Sequence, residues 1–173
     1  MPRKKLKKIL PTHEKIQKQK FLKIFGKLLY KKQIWSLSRR KVALGVFIGI
    51  FVACIPMPLQ MLLATFLAIV FNANFPISFA LIFVSNPVTM PPLFYFEYEI
   101  GNFIFQTKNP VTFSFKSMYD NMDQIALSLY TGAIVLGVVS ALICMYFTNF
   151  YWIKSVRKTR NQRSIENLMK SSN

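Results

Sequence analysis

Residues 42–96 read VALGVFIGIFVACIPMPLQMLLATFLAIVFNANFPISFALIFVSNPVTMPPLFYF, and none of these 55 residues is Lys, Arg, Asp, Glu or His. The stretch begins after Arg39-Arg40-Lys41 and ends before Glu97. A soluble domain rarely continues so far without a charge, because its outer faces must meet water. In a bilayer, a charge at the centre of a span costs at least about 2.5–3.5 kcal/mol. The sequence therefore predicts that this stretch lies in a membrane.

Two proline-rich breaks interrupt the stretch. The first reads Pro56-Met57-Pro58-Leu59-Gln60, and the second reads Ser85-Asn86-Pro87-Val88-Thr89-Met90-Pro91-Pro92. Proline lacks a backbone donor and ends or kinks a helix, so the apolar segments between the breaks are short. We predict two broken elements, residues 42–71 and 76–105, with helix breaks at Pro56, Pro58, Pro87, Pro91 and Pro92.

The breaks have two interpretations that the pattern alone leaves open. Backbone broken at membrane depth must be satisfied by protein or must line a wet cavity. In many transporters, paired interrupted helices mark the substrate site, and their N-termini face anionic groups. Alternatively, the two elements are helical hairpins whose prolines form simple bends.

A last uncharged run, residues 124–153, is long enough to cross a hydrocarbon core of about 30 Å as one helix. We predict a full transmembrane helix over residues 125–153. Tyr146, Tyr151 and Trp152 form an interfacial belt before the basic residues Lys154, Arg157 and Lys158. Because cytoplasmic loops carry an excess of Lys and Arg, the C-terminus is predicted to lie inside.

Both ends of the chain are basic. Residues 1–41 contain 15 Lys and Arg against Glu14 alone, and we predict a basic amphipathic helix at the membrane interface from Thr12 to about Ile34. Residues 154–173 form a second basic segment, so the membrane domain covers residues 42–153. We expect anionic lipid head groups as partners of both segments, with both termini cytoplasmic. The number of full crossings is then even, so at least one broken element is re-entrant or all four short helices are tilted and paired.

Other function classes find little support. The net charge of +17 would suit nucleic-acid binding, but no aromatic-interleaved basic motif, zinc spacing or helix-turn-helix pattern accompanies it, and we expect no nucleic-acid partner. Cys54 and Cys144 lie within apolar runs without metal-ligand spacing. We expect no metal and no cofactor. No nucleophile has a base near it, so an enzyme is not expected.

Four residues are the candidates for substrate binding: Gln60, Asn86 and Thr89 at the breaks, and Glu97 at the end of the charge-free stretch. The three break residues could bind polar groups of a substrate, or they could satisfy backbone groups freed by the prolines. Glu97 and Glu99 lie about 200° apart around a helix, which argues against a paired acid site. A buried Glu97 could carry protons, but the polar residues that follow favour a solvated acid.

Four glycines are candidates for close helix packing. Gly45 and Gly49 have the small-xxx-small spacing that lets helix backbones approach closely. Gly132 and Gly137 offer similar sites in the last helix.

Three segments resemble the bacterial domain of unknown function family 2062. They are Arg39–Gly49, Ile55–Met61 with its Pro-x-Pro-x-Gln break, and Ser85–Pro92 with its Ser-Asn-Pro-x-Thr-Met-Pro-Pro break. The resemblance covers roughly residues 30–155. It implies an integral membrane protein of bacteria and no particular activity. In some members the domain is joined to a glycosyltransferase-like domain, which points to lipid-linked precursors.

These observations predict an all-α integral protein of the bacterial inner membrane. The leading hypothesis is a small transporter or flippase-like carrier for a small or lipid-linked anionic substrate. The alternative is a membrane scaffold or assembly factor that transports nothing. A homo-oligomer is a further hypothesis, because a single chain of 173 residues offers little wall for a pathway.

Overall fold

The computed structural model describes residues 33–105 and 122–171, and within these ranges the protein is helical and contains no strand. Five helices follow in order: α1 (Arg39–Cys54), α2 (Gln60–Val70), α3 (Phe75–Ile82), α4 (Met90–Phe105) and α5 (Met122–Ser171). The predicted basic helix from Thr12 to Ile34 lies outside the described residues, except that residues 33–35 form a turn. The all-α prediction is confirmed for the described part of the chain.

The helices end close to the predicted breaks. α1 stops at Cys54 and α2 begins at Gln60, so the first break occupies residues 55–59. α4 begins at Met90, inside the second predicted break, which extends to Pro92. The difference has a simple cause, because the first turn of a helix needs no backbone donors and accepts Pro91 and Pro92 there.

The turn between α2 and α3 lies beside the start of α1. The backbone N–H of Asn74 donates to the carbonyl of Lys41 at 2.9 Å, and that of Phe75 donates to the carbonyl of Ile34 at 2.9 Å. Asn74 also caps α3, since its side chain accepts from the N–H of Ile77. Asn72 has a positive φ of 50°, which allows the tight reversal. α2 therefore returns to the end of the molecule from which α1 started.

α3 runs beside α1 in the same direction. Glycines on α1 make the close approach possible: a Cβ at Gly45 would lie 2.7 Å from the carbonyl oxygen of Asn74, and one at Gly49 would lie 2.8 Å from that of Ser78. The hydroxyl of Ser78 donates to the carbonyl of Gly45 at 3.0 Å. A core that includes Val52, Phe75 and Phe79 fills the space between α1, α2 and α3.

α5 packs against α1 on one face and against α4 on another. Cys54 lies 3.8 Å from Ser140 (Sγ to Oγ), whereas Pro56, two residues later, accepts a hydrogen bond from Tyr130. α1 and α5 are thus antiparallel. On α5, Ser128 and Gly132 contact α4. Residues two apart on a helix differ by about 200° in direction, so Ser128 and Tyr130 belong to opposite faces.

Within the described ranges, one helix is long and apolar enough to cross a membrane, over Ile125–Gln162. Only a third of its most apolar window is buried inside the protein, and large apolar side chains such as Ile134 and Leu142 are exposed on this helix. Phe103 is 85% exposed and Tyr146 is 68% exposed. Such a surface is unsuited to water, which supports membrane association.

The two basic clusters of the described residues lie at the same end of the helix pair. At about 1.5 Å per residue, Arg39 lies about 22 Å from Cys54 along α1. The same length of α5, counted from Ser140 toward the C-terminus, reaches the region of Lys154 and Arg157. The first break lies at the other end, beside the beginning of α5.

Candidate functional site

An apolar pocket of about 400 Å³ lies at the first break. Small-molecule sites in proteins usually have volumes of about 300–1,000 Å³. Three segments far apart in the sequence form its wall: the break itself, the first turns of α4 and the first turns of α5. The lining residues are Pro56, Met57, Pro58, Gln60, Met90, Phe94, Ile125, Ala126, Leu129 and Tyr130.

Tyr130 ties α5 to the first break. Its hydroxyl donates to the carbonyl oxygen of Pro56 at 2.9 Å. The break leaves carbonyls without helical partners, because Pro56 and Pro58 have no N–H and residues 55–59 are not helical. The hydrogen bond satisfies one of these carbonyls and leaves the apolar part of the tyrosine ring on the pocket wall.

Gln60 serves the backbone of the same break. Its Nε2 donates to the carbonyl of Ile55 at 2.7 Å, and its Oε1 accepts from the hydroxyl of Ser85 at 3.4 Å. The second contact joins the two breaks. Gln60 lines the pocket, but both ends of its side-chain amide already have a partner within the protein. The polar character that it lends to the pocket is therefore small.

Asn86 and Thr89 form a closed cap at the second break. The side-chain oxygen of Asn86 accepts from the N–H groups of Val88 at 2.9 Å and Thr89 at 3.1 Å. The hydroxyl of Thr89 accepts from the N–H of Asn86 at 2.9 Å and donates to the carbonyl of Val84 at 2.7 Å. This reciprocal arrangement resembles a capping box. Neither residue lines the pocket, so the geometry favours the backbone-satisfying interpretation of both.

Glu97 lies apart from the other three candidates, in the contact between α4 and α5. It is 0% exposed, and neither of its carboxyl oxygens has a hydrogen-bond partner among the described residues. The prediction of a solvated Glu97 is therefore wrong. Glu97 is buried because α4 is oriented with residue 97 toward Gly132, whereas Glu99 points outward and is exposed.

The predicted packing glycines all lie at close contacts between helices. A Cβ at Gly132 would overlap the carbonyl oxygen of Glu97. A Cβ at Gly137 would lie 3.3 Å from side-chain atoms of Cys54 and Phe51, which is a milder conflict. Gly101 on α4, which the sequence did not single out, is as crowded as Gly132, because a Cβ there would overlap the carbonyl of Ser128.

Sequence reasoning missed most of the pocket. Phe94, Ala126 and Leu129 look like ordinary membrane-facing residues in an apolar run, and no local pattern marks them. Tyr130 gave a weak signal, because its hydroxyl lies within a mostly apolar run and needs a hydrogen-bond partner at membrane depth. The pocket arises from tertiary contacts that the sequence pattern does not encode locally.

The described residues contain no group of three or more His, Cys, Asp or Glu side chains placed to hold a metal ion. The pocket offers proline, methionine, aromatic and aliphatic surface, with the amide of Gln60 and the hydroxyl of Tyr130 already engaged. Such a wall suits an apolar ligand, since a charged group placed there would lose its hydration without gaining a partner.

Comparison with known proteins gives one match. No curated protein and no solved structure is detectably similar to the chain. Residues 22–161 match the family DUF2062, which is described as an uncharacterized protein conserved in bacteria. This match covers most of the chain and includes both breaks and all of the pocket. The chain therefore belongs to the DUF2062 family.

Proposed function

We propose that this protein is a membrane carrier for lipid-linked molecules, and that the pocket at the first break holds the apolar chain of the substrate. The supporting observation is the pocket itself: about 400 Å³, lined by apolar surface and built around Pro56 and Pro58. An acyl or isoprenoid chain matches such a wall, because burying its methylene groups is favourable by about 0.8 kcal/mol each.

The hydrogen bonds of the break residues indicate which part of the substrate the pocket binds. The side-chain nitrogen of Gln60, the side-chain oxygen of Asn86 and the hydroxyl of Thr89 are bound to backbone groups, and the side-chain oxygen of Gln60 accepts from Ser85. A site for an anionic group at either break would have to compete with these hydrogen bonds. The apolar chain is therefore the part of the substrate that the pocket binds, and the head group would remain at the membrane surface.

The proposal includes a topology for the bacterial inner membrane. α1 enters from the cytoplasmic side and α2 returns there, as a re-entrant hairpin with the first break at its tip. α3 and α4 cross as one broken helix, and α5 crosses back. Supporting this order, the turn at Asn74 lies beside Lys41, and Arg39 lies level with the region of Lys154. Basic residues at one end suit the cytoplasmic face and anionic lipid head groups.

A scaffold or assembly factor is the second candidate, and one observation favours it. α4 and α5 expose many large apolar side chains, including Phe96, Phe103 and Leu142, which a partner helix or a second copy of the chain could cover as well as lipid. A scaffold would use that outer surface and would leave the pocket without a role. The two functions can therefore be separated by changing each surface in turn.

The experiment is photolabelling of the purified protein in vesicles by a phospholipid that carries a diazirine in its acyl chain. Ala126→Trp fills the pocket, and Leu142→Trp places the same side chain on the exposed face of the same helix. We expect labelling at the pocket segments in the parent protein and in Leu142→Trp, and loss of that labelling in Ala126→Trp. Equal labelling in all three proteins, confined to outward-facing residues, would contradict a chain-binding pocket.

A further inference from the structure

α4 has an inverted pattern of polarity. Its exposed faces carry large apolar side chains such as Phe96 and Phe103, whereas its buried residues are Glu97, Tyr98, Gly101 and Asn102. Both carboxyl oxygens of Glu97 and the Nδ2 of Asn102 lack a hydrogen-bond partner among the described residues. A membrane helix with its polar groups inside is typical of proteins that use those groups, since ionisable residues in a membrane are costly to keep.

Among the described residues, no Lys or Arg lies on the helix segments packed around Glu97. On α4, the nearby titratable residues are Tyr95, Tyr98 and Glu99, and Glu99 is exposed. From α1, the thiol of Cys54 lies within electrostatic range of the carboxyl group. From α5, Tyr130 is the titratable residue on the nearest turns, and its hydroxyl is bound to Pro56. No Lys or Arg occurs on α1 after Lys41 or on α5 between residues 125 and 153.

We propose that Glu97 is a proton-binding site whose ionisation separates α4 from α5. In the packed arrangement the described part of the chain gives the carboxyl group neither a donor nor a counter-charge, so it is held as the neutral acid. A carboxylate there would need water or a cation, because an unpaired buried charge is very costly. Opening of the contact between Glu97 and Gly132 would admit water to the group. Rising pH therefore favours the open arrangement, since the proton is lost more easily there than in the closed one.

Loss of the proton from Glu97 would also change the shape of the pocket. The same two helices supply most of its wall: Met90 and Phe94 come from α4, and Ile125, Ala126, Leu129 and Tyr130 come from α5. Separation of α4 from α5 would disrupt this wall. Because coupling between two binding equilibria is reciprocal, a chain that binds the closed pocket favours protonated Glu97. This consequence rests on the proposed function, whereas the proton site at Glu97 does not.

The first arm of the test needs no lipid ligand. Cys54 and Cys144 are replaced by Ala, and Ser128→Cys places one thiol in the buried contact beside Gly101. Its alkylation rate is measured in detergent micelles from pH ~5 to ~9, with Glu97 and in a Glu97→Gln background. The ratio of the two rates cancels the intrinsic pH dependence of the thiol. We expect a ratio near one at low pH and an increase of about tenfold or more at high pH, corresponding to at least about 1.4 kcal/mol.

Two controls keep the result specific. Glu99→Gln removes the exposed carboxyl two residues away and should leave the increase unchanged. Glu97→Asp keeps a proton-binding group and should keep a pH-dependent rate. A ratio that stays flat across the pH range, or an increase that Glu99→Gln abolishes, would overturn the proton site.

The second arm measures coupling to the pocket by photolabelling with the diazirine phospholipid. Labelling should fall as pH rises in the parent protein and should stay constant in Glu97→Gln. Loss of the pH dependence of labelling alone, with the rate ratio intact, would overturn the coupling. An intact rate ratio with no pocket labelling at any pH would support the proton site and count against the proposed function.

Discussion

The hydroxyl of Tyr130 donates to the carbonyl oxygen of Pro56 at 2.9 Å, across 74 residues of sequence. This contact joins the start of the longest helix to the first proline break, and both residues line the pocket. A break in a membrane helix exposes backbone groups that water cannot satisfy there. Here a side chain from another helix satisfies one of them, so the break is part of a packed structure.

Removal of this hydrogen bond should loosen the break. Tyr130→Phe keeps the ring on the pocket wall but leaves the carbonyl of Pro56 without its donor. We expect a loss of about 0.5–1.5 kcal/mol in the free energy of unfolding, measured as a lower thermal midpoint in detergent. Tyr146→Phe removes a hydroxyl from an exposed position on the same helix and should change the midpoint little. Equal effects of the two substitutions would show that the hydrogen bond to Pro56 does not contribute to the free energy of unfolding.

The two glycines of α5 should differ in their tolerance of alanine. Gly132→Ala forces a methyl group into the carbonyl of Glu97, so α4 has to shift, and we expect a loss of about 1–3 kcal/mol or more. Gly137→Ala meets side-chain atoms at 3.3 Å, which can adjust, and the loss should be smaller. Thermal midpoints and protein levels in membranes give the comparison. The reverse order would mean that α4 does not lie against Gly132.

The cap at the second break should behave as a structural feature. Asn86→Ala removes the acceptor for the N–H groups of Val88 and Thr89, and we expect a loss of about 0.5–2 kcal/mol. Asn86→Ser restores a capping oxygen and should recover most of the stability. Val88→Ala changes a residue of the same break that is 83% exposed, and it serves as the control. Asn86→Ala with unchanged stability but lost lipid labelling would instead support a substrate-binding role.

The sequence predicted the breaks well because proline acts locally. A missing donor at Pro56 or Pro87 limits a helix wherever the helix lies. The end of the second break was predicted less accurately, since Pro91 and Pro92 are compatible with a first helical turn as well as with a break. The glycines were also visible in the sequence, because only small residues permit close backbone approach between membrane helices.

The candidate site was harder to predict, because the pocket and the burial of Glu97 depend on which sides of the helices pack against each other. Glu97 was judged from its neighbours in the chain, whose polarity favours solvent, while its burial depends on Gly132, 35 positions later. Asn74 and Ser78 look like turn and helix residues, yet they bind backbone groups at the start of α1. No period or motif in a single sequence specifies such contacts.

In the proposed function, the pocket at the first break is an apolar chain site and not an aqueous conduit. This apolar character is tested most directly by thiol accessibility at Met57, which lines the pocket. In a protein with Cys54 and Cys144 replaced by Ala, Met57→Cys is treated in intact cells and in inverted vesicles with a charged, membrane-impermeant maleimide, and separately with an apolar maleimide. For an apolar chain site, we expect reaction with the apolar reagent and no reaction with the charged reagent from either side. Rapid reaction with the charged reagent from either side would show that water fills the pocket, and the proposed chain site would then be wrong.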